Sequence, residues 1–181
     1  MNIGVSSATF MNRGGGCFDG RCRITMADGS YCRVENVKRG FRVKTQNGTA
    51  RVIGIMKTLF STPTTQLAYY KNLILTPYHP IKINDEWVFP KDVAPVKTVQ
   101  CPAVYSFALD TDHIMIIENI HCVGLAHHFT GPVVGHSYFG SDNILTDLAK
   151  LPGWKENGIV EVMSHHFHRD TQTGNVNRIA V

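Results

Sequence analysis

The sequence predicts a mostly β fold with one short helix near the carboxyl end. Two Asx-Gly pairs, Asp28-Gly29 and Asn47-Gly48, each lie between stretches of alternating apolar residues. Such pairs are typical of tight β-hairpin turns, because both positions of the turn require a positive φ. Five prolines between residues 77 and 102 interrupt the middle of the chain, where a long helix would lose a hydrogen bond at each ring. We therefore expect many short strands.

The elements follow in this order along the chain. The two Asx-Gly pairs predict two early hairpins, and runs rich in Val, Ile, Tyr and Phe predict further strands at residues 51–58, 72–75, 80–83, 86–89, 103–109, 114–117 and 121–125. Apolar residues at helical spacing predict a helix over residues 144–151, capped by Asp142 or Asn143 and ended by Pro152-Gly153. A strand at 158–167 and a turn at 173–175 complete the prediction.

Composition restricts the class of protein. With 181 residues, 43% of them hydrophobic, the chain can bury one core and is not expected to be disordered. We find no apolar run of the roughly 18 to 20 residues that a membrane helix requires. The net charge of +4 comes from dispersed basic residues without interleaved aromatic residues, so we expect no nucleic-acid partner. The count of five cysteines leaves at least one thiol unpaired, which favours a reducing, cytoplasmic compartment.

The first candidate site is the segment from Gly14 to Cys17. Three glycines precede the cysteine, so the Gly16 carbonyl is open to attack and its peptide bond bends at little local cost. The Cys17 thiol could attack this carbonyl, given a nearby base. The alternative is a flexible linker that enters a strand at an ordinary buried cysteine.

The second candidate site is the turn at residues 75–80, which reads LTPYHP. Thr76 and His79 lie three residues apart across a proline-containing turn, an arrangement that places a hydroxyl and an imidazole on one side of a strand end. The imidazole can protonate a departing amide nitrogen, and the hydroxyl can position the carbonyl. A purely structural histidine is the alternative.

The third segment comprises two strand-like runs joined by an acidic turn, VYSFALDTDHIMIIENIHCV, and it ends in His121-Cys122. Taken in order, the three segments resemble the Hint superfamily, the self-cleaving modules of hedgehog proteins and inteins. GCFDGRCRITMADGS resembles the opening block, LTPYHP the Thr-x-x-His block, and the third segment the closing block. WVFPKDVA, HCVGLAHHF and HSYFGSDNILTDLAKLPGW resemble, more narrowly, the Vint variant that occurs with von Willebrand A domains.

The resemblance implies a Hint-type fold and the roles of five residues. Cys17 is the nucleophile at the scissile Gly16-Cys17 bond, His79 the general acid and Thr76 its positioning partner. His113 takes the place of the closing-block histidine and is a second proton carrier, and Cys122 is a thiol near the site. No cofactor and no metal are implied.

Two departures from the family pattern argue against two reactions of the family, splicing and cholesterol transfer. An intein ends with His-Asn, whereas this region reads Val123-Gly124-Leu125 and continues for more than fifty residues; we therefore do not expect splicing. Hedgehog modules carry an aspartate in the strand that corresponds to residues 51–58, and this aspartate activates cholesterol. The matching position here is Lys57 or its neighbour, so we do not expect cholesterol transfer.

The resemblance also divides the chain and indicates its partners. We expect an upstream flank at residues 1–16, an autoprocessing core at 17–127 and a mixed extension at 128–181. The substrate in cis is the attached upstream polypeptide, and the acceptor is water, a thiol or an amine. We expect a monomeric domain within a larger intracellular eukaryotic protein.

Two other functions compete with self-cleavage. A zinc-binding interaction module could draw on the many possible ligands, Cys17, Cys22, Cys32, His127, His128, His165, His166 and His168. None of the cysteine pairs has Cys-x2-Cys spacing, and on a strand His165 would face away from His166 and His168. A conventional Cys-His hydrolase that acts on a separate substrate is the third possibility.

Overall fold

The computed structural model describes residues 16–181. Sixteen strands, β1 to β16, span in order Phe18–Asp19, Arg23–Thr25, Tyr31–Arg33, Arg42–Lys44, Thr49–Leu59, Thr64–Tyr70, Leu73–Leu75, Ile81–Ile83, Glu86–Val88, Val96–Gln100, Ala103–Leu109, Ile114–Ile117, Ile120–Val123, Ile159–Met163, Phe167–Arg169 and Val176–Ile179. One α-helix, α1, spans Asn143–Leu148. The mostly β prediction with one short helix is confirmed. The predicted upstream flank lies outside the described residues, apart from Gly16.

The strands form two large sheets and one hairpin. The first sheet has the order β10-β6-β7-β1-β11-β5-β14, with β4 also paired to β5, and the second has the order β3-β2-β12-β13-β8-β9. β15 and β16 pair with each other. Among the paired strands of residues 16–181, only β14 on β5 is parallel. The short strand β1 lies between β7 and β11, so the residue that precedes it, Cys17, enters the middle of the first sheet.

Both predicted hairpins are present. Asp28-Gly29 lies in the turn between β2 and β3, and Asn47-Gly48 joins β4 to β5. Gly29 has a φ of 86°, a conformation that glycine adopts without steric cost. The Asx-Gly pattern therefore predicted the local structure correctly.

Among the strands that were not predicted are β6 and β10, which pair with each other over Thr64–Ala68 and Val96–Gln100. β10 is an edge strand whose residues are mostly exposed, so it lacks the alternation of buried and exposed side chains that marks a strand in the sequence. β6 begins directly after Pro63 and reads TTQLAYY, in which polar residues mask the periodicity.

The helix is shorter than predicted. α1 ends at Leu148, and the residues up to Leu151 continue as turns. Asp142 occupies the N-cap position without a capping hydrogen bond from its side chain; it is bonded instead to His128. The strand predicted at 158–167 is interrupted by a short 3-10 turn at Ser164–His166, after which the chain turns into β15.

The extension shares a hydrophobic core with the remainder of the domain. One buried cluster combines Cys17, Met56, Val104 and Leu125 with extension residues that include Tyr138, Ile144, Leu148, Val160 and Val162. A second cluster lies around Phe18, Phe107 and Met115. Because β14 covers the edge of β5, the residues on both sides of position 127 form one folded unit. The division at position 127 stays a prediction.

All five cysteines are free thiols, and four of them are buried. Within residues 16–181, none of the helices has both the length and the apolar character that crossing a membrane demands.

Candidate active site

The main chain of Cys17 is held by Thr76. The Cys17 N–H donates a hydrogen bond to Thr76 Oγ1 at 2.9 Å, and the Thr76 N–H donates one to the Cys17 carbonyl at 2.9 Å. Thr76 follows β7, where Pro77 turns the chain away from the sheet, and its carbonyl accepts a bond from the His79 N–H. The turn predicted at 75–80 therefore positions the amide nitrogen of the Gly16-Cys17 bond.

The Cys17 thiol is fully buried and protonated at rest. Burial raises its pKa to about 12, an interaction with the Thr58 hydroxyl opposes this shift, and the nearby Cys101 thiol adds slightly to it. Burial acts in this direction because a thiolate loses the solvation that water would provide. The nucleophile is thus inert until its proton is removed.

His79 is the buried imidazole beside Cys17. Its Nε2 lies 2.7 Å from the Val123 carbonyl oxygen, and since a carbonyl only accepts, Nε2 carries a proton. Burial lowers the pKa of the ring to about 4, against a smaller opposing effect of this hydrogen bond, so His79 is neutral near pH 7. Nδ1 is then a lone-pair acceptor, buried and without a hydrogen-bond partner. Phe18 packs on the ring with 4.2 Å between centroids.

Gly16 lies directly against the His79 ring. A Cβ built on Gly16 would overlap Cγ, Cβ and Nδ1 of His79. The main chain of Gly16 also raises the pKa of His79, which identifies its carbonyl as the interacting group, because only an acceptor stabilises a protonated imidazole. Gly16, whose carbonyl belongs to the predicted scissile bond, therefore contacts the ring of the predicted proton carrier.

These contacts bring together four of the predicted site residues: Gly16, Cys17, Thr76 and His79. Thr76 holds the Cys17 main chain, and the His79 ring lies against Gly16. The arrangement can move a proton from sulfur to nitrogen while the acyl group moves from nitrogen to sulfur.

The structure places His113 and Cys122 elsewhere. His113 lines a second depression with Gln46, Asn47, Lys82, Trp87 and Phe129, and its pKa is lowered by burial and by the neighbouring His128. The Cys122 thiol belongs to the second hydrophobic cluster and donates to the Ile120 carbonyl at 3.3 Å. The link between Cys122 and the candidate site is its chain neighbour Val123, whose carbonyl accepts a hydrogen bond from His79.

A cavity of about 650 Å³ opens beside Gly16 and His79. Its walls come from both parts of the chain: Tyr78, Phe89, Ser106 and Leu125 on one side, and residues 132–136, Phe139 and residues 172–175 of the extension on the other. This volume lies within the range of cavities that bind small organic molecules. The extension therefore forms one wall of the candidate site.

His127 and His136, which also line this cavity, were not predicted as site residues. His127 Nδ1 accepts the Phe129 N–H at 2.8 Å, and burial, with the nearby His113, His128 and His136, lowers its pKa to about 4. His136 Nδ1 accepts the N–H groups of Tyr138 and Phe139 at 3.1 and 2.8 Å. Neighbouring main-chain amides thus fix the tautomer of both rings.

The sequence also did not predict a role for Thr58. It lies on β5, where its neighbour Lys57 points to the opposite face and pairs with Glu161 at 3.0 Å. Position 58, on the sheet face that carries Cys17, therefore holds a hydroxyl and no carboxylate.

The possible zinc ligands do not converge. Among residues 16–181, no group of three His, Cys, Asp or Glu side chains is arranged to hold a metal ion. Cys22 is bonded to the main chain of Ile74, and His166 accepts the Met163 N–H through Nδ1.

Comparison of the fold with solved structures finds inteins and intein-like domains. A DnaB intein from Synechocystis sp. PCC 6803 is 12% identical, with a TM-score of 0.48 over 61% of this chain and 99% of the intein. A bacterial intein-like domain from Clostridium thermocellum is 19% identical, with a TM-score of 0.49 over 60% of this chain and 97% of that domain. Similarity at this level carries no argument about activity.

No curated protein sequence matches the chain. The family comparison is decisive, because the match spans most of both the core and the extension. Over residues 16–178 the sequence matches the Vint family, described as a Hint domain, and this membership supports a self-processing domain in general. The chain belongs to the Vint family of Hint domains.

Proposed function

We propose that this domain cleaves its own Gly16-Cys17 bond through a thioester and releases the upstream polypeptide. The observation that supports the proposal is the direct contact of Gly16 with the His79 ring, immediately before the buried Cys17, whose N–H is held by Thr76. Each molecule supplies both nucleophile and substrate, so it turns over once.

In the first step the Cys17 sulfur bonds to the Gly16 carbonyl carbon. The thiol proton passes to His79 Nδ1, which is unprotonated at rest. The protonated ring then donates toward the Gly16 oxygen and delivers the proton to the amide nitrogen as the C–N bond breaks. The products are a thioester and the free α-amine of Cys17, with no change in the total number of protons.

Thr76 determines from which side the amide nitrogen of Cys17 is protonated. Its hydroxyl accepts the Cys17 N–H at 2.9 Å, which keeps the amide N–H turned toward it and leaves the other face of the nitrogen for the incoming proton. The same contact persists when the nitrogen becomes an amine, so Thr76 holds the leaving group close to the thioester.

The resting state resists reaction. With the pKa of the thiol at about 12 and that of the imidazole at about 4, the neutral pair is favoured over the separate ions by on the order of 10 kcal/mol before their mutual attraction is counted. Proton transfer must therefore accompany formation of the C–S bond. We expect cleavage to be slow and strongly dependent on the geometry of the site.

In the second step an acceptor attacks the thioester from the cavity beside Gly16. Water, a thiol or an amine fits a volume of about 650 Å³. The neutral His79 can then take the proton of the acceptor, and the C–S bond breaks. The Cys17 sulfur leaves as a thiolate and recovers a proton from His79 to become a thiol. Hydrolysis leaves a carboxylate on Gly16, and an amine leaves an amide.

The test is a fusion of a folded reporter to the amino end of residue 1, followed by intact mass under native conditions. We expect dithiothreitol or hydroxylamine to release the reporter with Gly16 as its last residue. Cys17→Ala should abolish release, and His79→Ala should slow it by about 10²- to 10⁴-fold. Cys32→Ala, which alters a thiol of the second sheet, is the matched control. A fusion that stays intact under all conditions would exclude self-cleavage.

A further inference from the structure

Thr58 is fully buried, yet its hydroxyl makes no hydrogen bond. Its side chain is 0% exposed, and Oγ1 has no partner within residues 16–181. Burying a hydroxyl without a partner costs on the order of 1–3 kcal/mol. A valine side chain has the same shape and would avoid this cost. Stability therefore does not explain why a hydroxyl occupies this position.

The β register places Thr58 on the face of the sheet that carries Cys17. Thr58 lies opposite Val104 on β11 and opposite Val162 on β14. Val104 in turn lies opposite Asp19 of β1, and Cys17 precedes Asp19 by two residues, which in a strand puts both on one face. Cys17, Val104 and Val162 also share one hydrophobic cluster.

We propose that Thr58 is a catalytic residue whose hydroxyl donates a hydrogen bond to the Cys17 sulfur as negative charge develops there. This rests on the proposed acyl shift. Thr58 keeps its own proton throughout, while the thiol proton goes to His79. No oxidant, reductant or further reactant is involved.

The state of the two groups at rest fits this role. The Thr58 hydroxyl is close enough to stabilise a thiolate at Cys17, although no formed hydrogen bond satisfies it while the sulfur is a thiol. An interaction that strengthens only as charge develops lowers the barrier without stabilising the ground state. Such a donor acts best where water is absent, and Val162 of the extension helps to cover Thr58 on the β14 side.

The experiment compares Thr58→Val and Thr58→Ser in the reporter fusion. Because a hydrogen bond to a charged group is lost, we expect Thr58→Val to cut the rate of release about 10- to 100-fold while the midpoint of thermal unfolding stays the same or rises. Thr58→Ser keeps the hydroxyl and should restore most of the rate. Thr65→Val removes a hydroxyl from another buried strand position and should leave the rate unchanged. Release at the wild-type rate from Thr58→Val would overturn the proposal.

A second readout does not depend on cleavage. The ¹³Cβ chemical shift of Cys17, followed by NMR from pH 7 to 11, reports how readily the thiolate forms without a reagent having to enter the core. We expect the shift to begin at higher pH in Thr58→Val and to recover in Thr58→Ser. If the wild-type fusion never cleaves but this pattern holds, self-cleavage fails and the contact between Thr58 and Cys17 stands. The same pH dependence in all three proteins would refute the role of Thr58.

Discussion

The main chain of Gly16 lies directly against the imidazole ring of His79. This contact explains why a glycine precedes Cys17: any larger residue must displace the ring, and the ring is fixed by Phe18 and by the Val123 carbonyl. The residue before the proposed scissile bond and the proposed proton carrier therefore have complementary shapes.

Gly16→Ala tests this fit. Because the added methyl group would overlap the imidazole, we expect the Gly16 carbonyl to move away from Nδ1 and reporter release to fall at least tenfold. Gly48→Ala is the matched control, since its nearest neighbour is a single Asp112 carboxylate oxygen at 3.8 Å. Wild-type release from Gly16→Ala would show that the ring adapts and that the contact has no catalytic importance.

Thr76→Val removes the acceptor of the Cys17 N–H. The buried N–H is left without a partner, so we expect the free energy of unfolding to drop by about 1–3 kcal/mol, together with slower thioester formation. Thr76→Ser retains the oxygen and should recover both quantities. Urea unfolding and intact mass measure them separately. A stable Thr76→Val that releases the reporter normally would contradict the role given to this bond.

Short-range patterns in the sequence predicted much of the structure around the site. Asn47-Gly48 predicted a hairpin, and the spacing of Thr76 and His79 predicted a turn that holds both, because these features depend on residues a few positions apart. The link between Cys17 and Thr76 spans 59 positions. It was inferred from the resemblance to a family and from no local pattern.

The contributions of Thr58 and His127 could not be predicted in this way. Thr58 shares a sheet face with Cys17 because β11 joins β1 to β5 in a given register, and this order depends on long-range pairing. His127 and residues 132–136 show no hydrophobic period, and the family resemblance of the segments HCVGLAHHF and HSYFG gave no role to His127 or His136. Their place beside Gly16 follows from tertiary packing of the extension.

Buried histidines should make the protein sensitive to acid. The pKa of His79 lies at about 4 in the folded protein and near 6.5 when the ring is exposed, so the unfolded chain binds the proton first as the pH falls. Stability is complete above about pH 6.5 and is lost down to about pH 4, by about 3 kcal/mol for His79 alone. His127, with a pKa of about 4, adds a further loss in the same range.

Urea unfolding at several pH values between 4 and 7 measures this dependence. We expect His79→Gln to flatten the curve, because glutamine does not titrate. His165→Gln, at an exposed position, should leave the slope as in the wild type. A slope that is identical in His79→Gln would show that His79 is not the group responsible.

The positions of His113 and Cys122 lead to a prediction about the roles that the family resemblance implied for them. The Cys122 thiol lies in the second cluster and His113 lies in a separate depression. We therefore expect Cys122→Ala to lose about 1 kcal/mol of stability and His113→Asn to keep its fold, since asparagine tolerates the left-handed φ of 42° at this position. Neither should alter release by more than a small factor. A large loss in either would restore the role first inferred for it.

Removing the extension should abolish folding. Nine of the seventeen buried members of the first cluster come from residues beyond 127, and β14 covers the edge of β5 that carries Thr58. A chain that ends at His127 would expose this apolar surface and an unpaired strand edge, which favours aggregation. Solubility, circular dichroism and reporter release should all be lost, whereas removing only Val181, which is 78% exposed, should change none of them. A soluble 1–127 chain that unfolds cooperatively and releases the reporter would mean that the extension is not needed to form the site.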